Sequence, residues 1–198
     1  QSRLSAGGAL SRNIKYSGYV DTVYLGCWRK SELIRYGLFD EDLIRNQDDE
    51  LCHRIRSNGG LIYQDISIIS YYYPRSNLVK LFKQYFQYGF WRYITFFKSK
   101  KKMSFRQYLP FFMLLSTIIN TFFLFTPYRD ISIYYFILYL FCFSISILSL
   151  SNFYKVHMIV ISVISIFLMH HSYGLGFLTS FFSKVFDINF RFTSSLTR

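Results

Sequence analysis

Residues 108–126 and 131–150 each run about twenty positions without a charged side chain, the length a helix needs to cross a hydrocarbon core about 30 Å thick. No backbone amide can stay unpaired in lipid, so stretches of this kind have little choice but to form helices. A third apolar stretch, 156–182, is interrupted by His170, His171, Gly174 and Gly176. The charge is distributed to match. Residues 1–106 hold 18 Lys and Arg and 9 Asp and Glu, whereas 107–198 hold 5 and 2. We therefore expect a water-facing part over 1–97, a basic juxtamembrane linker over 98–106, and a membrane region over 107–198 with about three transmembrane helices.

The linker, Lys98-Ser99-Lys100-Lys101-Lys102 with Arg106, faces only Arg129 and Asp130 beyond the first span. Basic loops stay in the cytoplasm, so this bias predicts a multi-pass inner-membrane protein with its polar part on the cytoplasmic side. The same charges would attract anionic lipid headgroups. Cys27, Cys52 and Cys142 are widely spaced and form no CxxC, which fits a reducing compartment. The chain opens on Gln1 and shows no signal peptide, and we expect it to be a piece of a longer protein. No Gly-rich phosphate loop or opening βαβ unit appears in its first half.

Within the polar part, residues 20–25, 61–63 and 66–73 read as strands. Ser31 is placed to cap a short helix that Gly37 would end. Asn46 is placed to cap a helix running to about Ser57, closed by Asn58-Gly59-Gly60. Residues 77–97 read as an amphipathic helix with Lys80, Lys83, Gln84 and Gln87 on one face. Leu78, Leu81, Phe82, Tyr85, Gly89 and Phe90 lie on the other, a pattern suited to the membrane interface. A helix packed on its own domain fits the pattern equally well.

The acidic knot Asn46-Gln47-Asp48-Asp49-Glu50 stands out in a chain of net charge +12. Helical stepping puts Glu50 four residues before Arg54, as an ion pair, and Asp49 four before His53. Asp48 instead shares a face with Leu51, Cys52 and Ile55. A carboxylate there, near the free N–H groups of a helix start, suits a general base, although decorating a helix start would also account for it. Asp48, Asp49 and Glu50 diverge around the helix, so they do not form a metal site, and no EF-hand spacing is present. His53 reads as a surface residue, and His170-His171 as packing. A nucleic-acid module would gather its basic residues on one folded surface, but five of them sit in the linker; no nucleic-acid partner is expected. A membrane transporter would carry charges or breaks within its spans, and the first two have none. A catalytically inactive membrane scaffold is the remaining alternative.

In order along the chain, Val20-Asp21-Thr22-Val23-Tyr24-Leu25-Gly26, Arg29-Lys30, Gly37-Leu38-Phe39-Asp40-Glu41, Arg45-Asn46-Gln47-Asp48-Asp49-Glu50-Leu51, Arg54-Ile55-Arg56 and Gly59-Gly60 carry a resemblance. They look like the second half of a family 2 glycosyltransferase domain, in particular of succinoglycan-type exopolysaccharide transferases. Tyr72-Tyr73-Pro74-Arg75-Ser76, Gln84-Tyr85-Phe86-Gln87-Tyr88-Gly89-Phe90-Trp91 and His171-Ser172-Tyr173-Gly174-Leu175-Gly176 extend it.

The resemblance implies an α/β fold, the C-terminal part of a GT-A glycosyltransferase domain, followed by an all-α transmembrane region. It implies a hexosyltransferase-type enzyme with a nucleotide-sugar donor and a lipid-linked saccharide acceptor. Asp48 takes the place of the catalytic base. Gln47 replaces the usual Glu before it, and Gln47, Asp49 and Arg54 would form its surroundings. Tyr24, Gly26 and Trp28 would line the acceptor side, where the aromatic rings stack on sugar or serve the core. A divalent metal, Mg or Mn, would bind a DxD motif expected upstream of residue 1, with none within 1–198, so this fragment alone should be inactive. The QxxRW motif of processive synthases is not matched: Trp91-Arg92 follows Gln87 in reversed order, which favours adding one sugar per encounter.

Overall fold

A computed structural model describes residues 10–23, 25–71, 77–99, 105–151 and 156–188. Tyr24, Lys100, Lys101 and Lys102, each assigned a role above, lie outside the described residues, as do Tyr72 and Tyr73 of the expected strand and the Pro74-Arg75-Ser76 that follows them. The chain divides into two compact units, Gln1–Pro74 with Trp91–Met103 and Arg75–Phe90 with Ser104–Arg198.

The first unit is built on two short helices, α1 (Lys30–Arg35) and α2 (Gln47–Ser57), and a two-stranded antiparallel ladder of β1 (Gly18–Tyr19) and β2 (Tyr63–Gln64). Both helices stop in the same way. The Gly37 N–H bonds the Ile34 carbonyl and the Leu38 N–H bonds Leu33, while Gly59 and Gly60 repeat this with Arg56 and Ile55. In each, a glycine takes the left-handed conformation that closes a Schellman motif, φ 83° at Gly37 and 78° at Gly59. The helix expected to end at Ser57 does so. Ser31, expected to cap α1, lies inside it; Arg29 is the cap residue and makes no side-chain bond.

The strands are shorter than expected, and the reasons are local. Pairing of Gly18 with Gln64 and Tyr19 with Tyr63 is extended by one bond, Val20 N–H to the Ile62 carbonyl at 3.0 Å. Beyond it Leu25 sits at φ 56°, incompatible with a strand. After β2 the Asp65 carboxylate takes bonds from the Ser67 amide at 2.8 Å and hydroxyl at 2.7 Å, turning the chain where residues 66–73 were expected to run straight. Among the described residues β1 and β2 are the only strands. The core gathers Val20, Leu51, Cys52, Ile55 and Ile62, with Tyr16, Val23, Trp28, Leu33 and Tyr36 packed against it. Leu51 and Cys52 are fully buried, and burying a side chain of leucine size stabilises by about 1.5–3 kcal/mol.

The second unit holds α4 (Phe105–Phe123), α5 (Arg129–Ser151) and α6 (Val156–Val185), which pack on one another pairwise. Helix α3 (Leu78–Ser99) contributes its residues through Phe90 to this unit and its later ones to the first. Glycines set the spacing in the second unit. A Cβ on Gly89 of α3 would overlap the Tyr173 carbonyl of α6, and one on Gly176 of α6 would overlap the Phe86 carbonyl of α3. Gly174 gives the Pro110 carbonyl of α4 the same room. Small residues that let helix backbones touch are the usual contact of apolar helices. This approach also buries Gln87 beside Gly89 and Phe90, which corrects its placement on an exposed polar face. Lys80 and Lys83 are exposed, as expected.

A polar chain links the three apolar helices. Ser116 Oγ lies 2.8 Å from the Tyr135 hydroxyl, and Thr117 Oγ1 lies 3.3 Å from it and 3.1 Å from His171 Nε2. Nδ1 of His171 is 2.9 Å from the Phe167 carbonyl, to which it donates. Among the described residues one helix, His157–Val185, is long and apolar enough to cross a membrane, and Gln107–Phe123 is apolar but shorter.

Candidate active site

The acidic knot forms the first turn of α2. Asn46 occupies the cap position but at φ 63°, left-handed, and its side chain makes no capping bond. A capping side chain reaches the helix amides from an extended backbone, so the expected cap is lost to this turn. The turn is closed instead by the Glu50 amide on the Asn46 carbonyl, 3.0 Å, and by Gln47 Nε2 donating to the Ile44 carbonyl, 3.2 Å. Asp48 is exposed, and its Oδ1 accepts the Asp49 amide at 2.9 Å. Among the described residues no cation pairs with it.

Its two acidic neighbours are neutralised. Glu50 is buried and held by Arg54, as the spacing predicts, with Nε–Oε1 3.0 Å and Nη2–Oε2 2.7 Å. The same guanidinium donates to the carbonyls of Tyr36 and Leu38, tying the end of α1 to α2. Arg54 therefore braces the helix from behind rather than touching Asp48.

Asp49 was read as a surface charge with an i+4 partner. Its Oδ2 is instead paired with Arg92, from the last turns of α3, with both side chains mostly buried. Helical stepping sees only local partners, and nothing in the sequence joins positions 43 residues apart. The bare signal was an arginine beside a buried tryptophan, Trp91-Arg92.

Around this turn, Cys52 lies under the carboxylates. Burial pushes its thiol pKa up, bonds from the Val23 backbone and the Thr22 hydroxyl oppose this, and the charges of Asp49 and Asp48 add to it. The loop at Thr22-Val23 thus borders Cys52 of α2. Trp28 packs partly buried against the core, and Gly26 is exposed, where a Cβ would run into the Trp28 indole. The bare backbone at 26 leaves room for the indole.

One DxD triplet does occur, Asp40-Glu41-Asp42, contrary to the expectation of none. Lys98 Nζ lies 2.8 Å from Asp40 Oδ2 and 2.7 Å from Asp42 Oδ2. The lysine hydrogen bond holds the Asp40 carboxyl below the usual range and raises Lys98 in return. These carboxylates are satisfied by an ammonium group. Among the described residues no three His, Cys, Asp or Glu are arranged to hold a metal ion. The residues present do not fit the divalent metal that the resemblance implies.

No protein-family model and no solved structure matches the chain. Over 109 residues, 55% of its length, the chain is 33% identical to the succinoglycan biosynthesis protein ExoA of Rhizobium meliloti (strain 1021), and it spans 33% of that protein's length.

Proposed function

We propose that the chain is part of a membrane-bound inverting glycosyltransferase of exopolysaccharide synthesis, of GT-A family 2 type. It would move a sugar from a nucleotide-sugar to a lipid-linked saccharide at the cytoplasmic face. The observation that carries this reading is the unequal state of the three carboxylates in the knot. Asp49 and Glu50 are each bound to an arginine, and Asp48 is presented to solvent with no cation paired to it among the described residues. The identity to ExoA supports it from a second direction.

Asp48 would take the proton of an acceptor hydroxyl. The resulting oxygen nucleophile attacks the anomeric carbon in line, and the bond from that carbon to the nucleoside diphosphate breaks. Trp28 and the bare backbone at Gly26, with Tyr24, would form the acceptor side of the site. Arg54 and Gln47 would hold the helix start still.

Asp48→Asn in the full-length protein tests the reading. With UDP-glucose, UDP-galactose and GDP-mannose as donors and bacterial membranes as acceptor, transfer should fall by 10² or more, in the range lost with a general base. Donor binding by calorimetry should persist. Undiminished transfer by the Asp48→Asn variant would remove Asp48 from the mechanism.

A further inference from the structure

We propose that Leu25 is an acceptor-binding residue: its side chain meets the hydrocarbon chain of a lipid-linked saccharide, beside the sugar that Asp48 activates. This rests on the reading of Asp48 as the base and adds the part of the site that recognises lipid. In the first unit three residues other than glycine are described in the left-handed conformation, Leu25 at φ 56°, Leu38 at φ 60° and Asn46 at φ 63°. That conformation presses Cβ against the following carbonyl, and asparagine tolerates it where leucine does not. Asn46 is accounted for by its residue type, and its carbonyl closes the first turn of α2. Leu38 is accounted for by its carbonyl, which accepts an N–H of Arg54 at 2.8 Å. Leu25 has neither reason. Among the described residues its backbone makes no hydrogen bond, and its side chain, 68% exposed, stands outside the core.

A lone exposed leucine is ordinary. One held in a strained backbone is a standing cost, and such costs gather where a site needs a side chain in one place. The place here is beside the base. The Val23 backbone and the Thr22 hydroxyl bond the Cys52 thiol, and Cys52 sits one turn after Asp48 on α2. The loop is thereby fastened to the helix that carries Asp48, with Leu25 just past Val23 and next to Gly26 and Trp28. A leucine side chain neither donates nor accepts a hydrogen bond, so it has nothing to offer the hydroxyls of a sugar. What it removes from water is hydrocarbon. Trp28 takes the sugar ring, and Leu25 takes the start of the lipid chain.

The test separates lipid from sugar. In the full-length protein, transfer from the donor panel above is measured against rising amounts of lipid extracted from bacterial membranes. It is measured again with the saccharides released from that extract by mild acid. Leu25→Asn places a residue at ease in the left-handed conformation and removes the apolar contact. Its KM for the lipid extract should rise about tenfold with kcat little changed, the pattern of lost uniform binding. Its KM for the released saccharides should not move. Leu25→Met keeps the apolar contact and should stay close to wild type. Leu25→Gly relieves the backbone and should lose the same affinity for lipid with no fall in the unfolding temperature. An unchanged KM for the extract in Leu25→Asn, or equal losses on both acceptors, reduces Leu25 to a loop residue and overturns the proposal. A lower unfolding temperature in Leu25→Asn also overturns it, since another part of the protein would then cover the side chain. Full transfer by Asp48→Asn fails the underlying reading instead, whatever the Leu25 variants do.

Discussion

Arg54 grips Glu50 along one whole edge of its guanidinium and uses the remaining nitrogen to hold the Tyr36 carbonyl at the end of α1. One arginine thus satisfies a buried carboxylate and fastens a helix terminus to its neighbour. Arg54→Ala strands the Glu50 charge in a mostly buried place and should cost about 2–4 kcal/mol. Glu50→Gln keeps the shape and should cost less. Cys52, fully buried between them on α2, reports the loss. With Cys27 and Cys142 replaced by Ser, the rate at which a thiol reagent labels Cys52 should rise far more in Arg54→Ala than in Glu50→Gln. Equal rates would show that the pair does not stabilise this unit.

The Lys98 cluster predicts a small, pH-limited stabilisation. The folded Asp40 carboxyl lies below its ordinary value of 3.8, so its contribution is fully present above that value and is lost as pH falls through the lower folded value. Lys98 is raised above 10.5, so its contribution is complete below that and disappears only at higher alkalinity. Because the Lys98 side chain is 43% exposed, solvent screening should hold the whole effect to under about 1 kcal/mol. The stability difference between wild type and Lys98→Met should therefore be flat near neutral pH and shrink as the pH falls below 3.8. Adding 1 M salt should shrink it.

The DxD triplet yields a binding prediction. With Asp40 and Asp42 engaged by Lys98, residues 1–198 on their own should show no saturable heat with manganese or with UDP-glucose plus manganese. Clear binding by this segment would mean the lysine yields to the metal, and the donor site would have to be sought here.

What the sequence made legible was local. The bounds of α2 follow from the turn at Asn46 and the glycines at 59 and 60, because Schellman closure depends on residues a few positions apart. The Glu50–Arg54 pair follows from four-residue spacing. The Asp49–Arg92 pair was invisible, because two helices far apart in the chain must first meet. Gln87 was misplaced for a related reason. Periodicity assigns a polar residue to the wet face, but Gly89 and Gly176 bring α3 and α6 so close that the flank of the contact is also buried. Residues 20–25 and 66–73 have strand composition, and over their described positions it was single turns, at Leu25 and Asp65, that overruled it.

The reciprocal fit of Gly89 and Gly176 can be tested directly. Each faces a carbonyl of the other helix with no space for a Cβ. Gly176→Leu should push the helices apart and lower the thermal stability of the second unit in detergent by a clear margin, as overpacking typically costs 1–3 kcal/mol (about). Leu175→Ala, at an exposed neighbouring position, should change little. If both substitutions behave alike, the contact is not a determinant of packing.

Placement at the membrane decides whether the proposed chemistry can meet its donor. Nucleotide-activated sugars are cytoplasmic, so Asp48 must face that side. Lys98, Lys100, Lys101 and Lys102 precede the first apolar helix, Arg106 lies in its first turn, and Arg129 with Asp130 follows it. If that helix crosses the membrane, such a bias should keep its N-terminal end in the cytoplasm. Arg129 is exposed at the start of α5, where a new cysteine would be open to reagent. With all three native cysteines replaced, Arg129→Cys should react with an impermeant maleimide added to spheroplasts. Ser99→Cys should react only after the membrane is broken. The reverse pattern would put Asp48 on the side without nucleotide-sugars and sink the cytoplasmic-transferase mechanism. Protection of both sites in intact cells, with labelling of both after lysis, would mean that 105–123 does not cross, leaving His157–Val185 as the helix to test next.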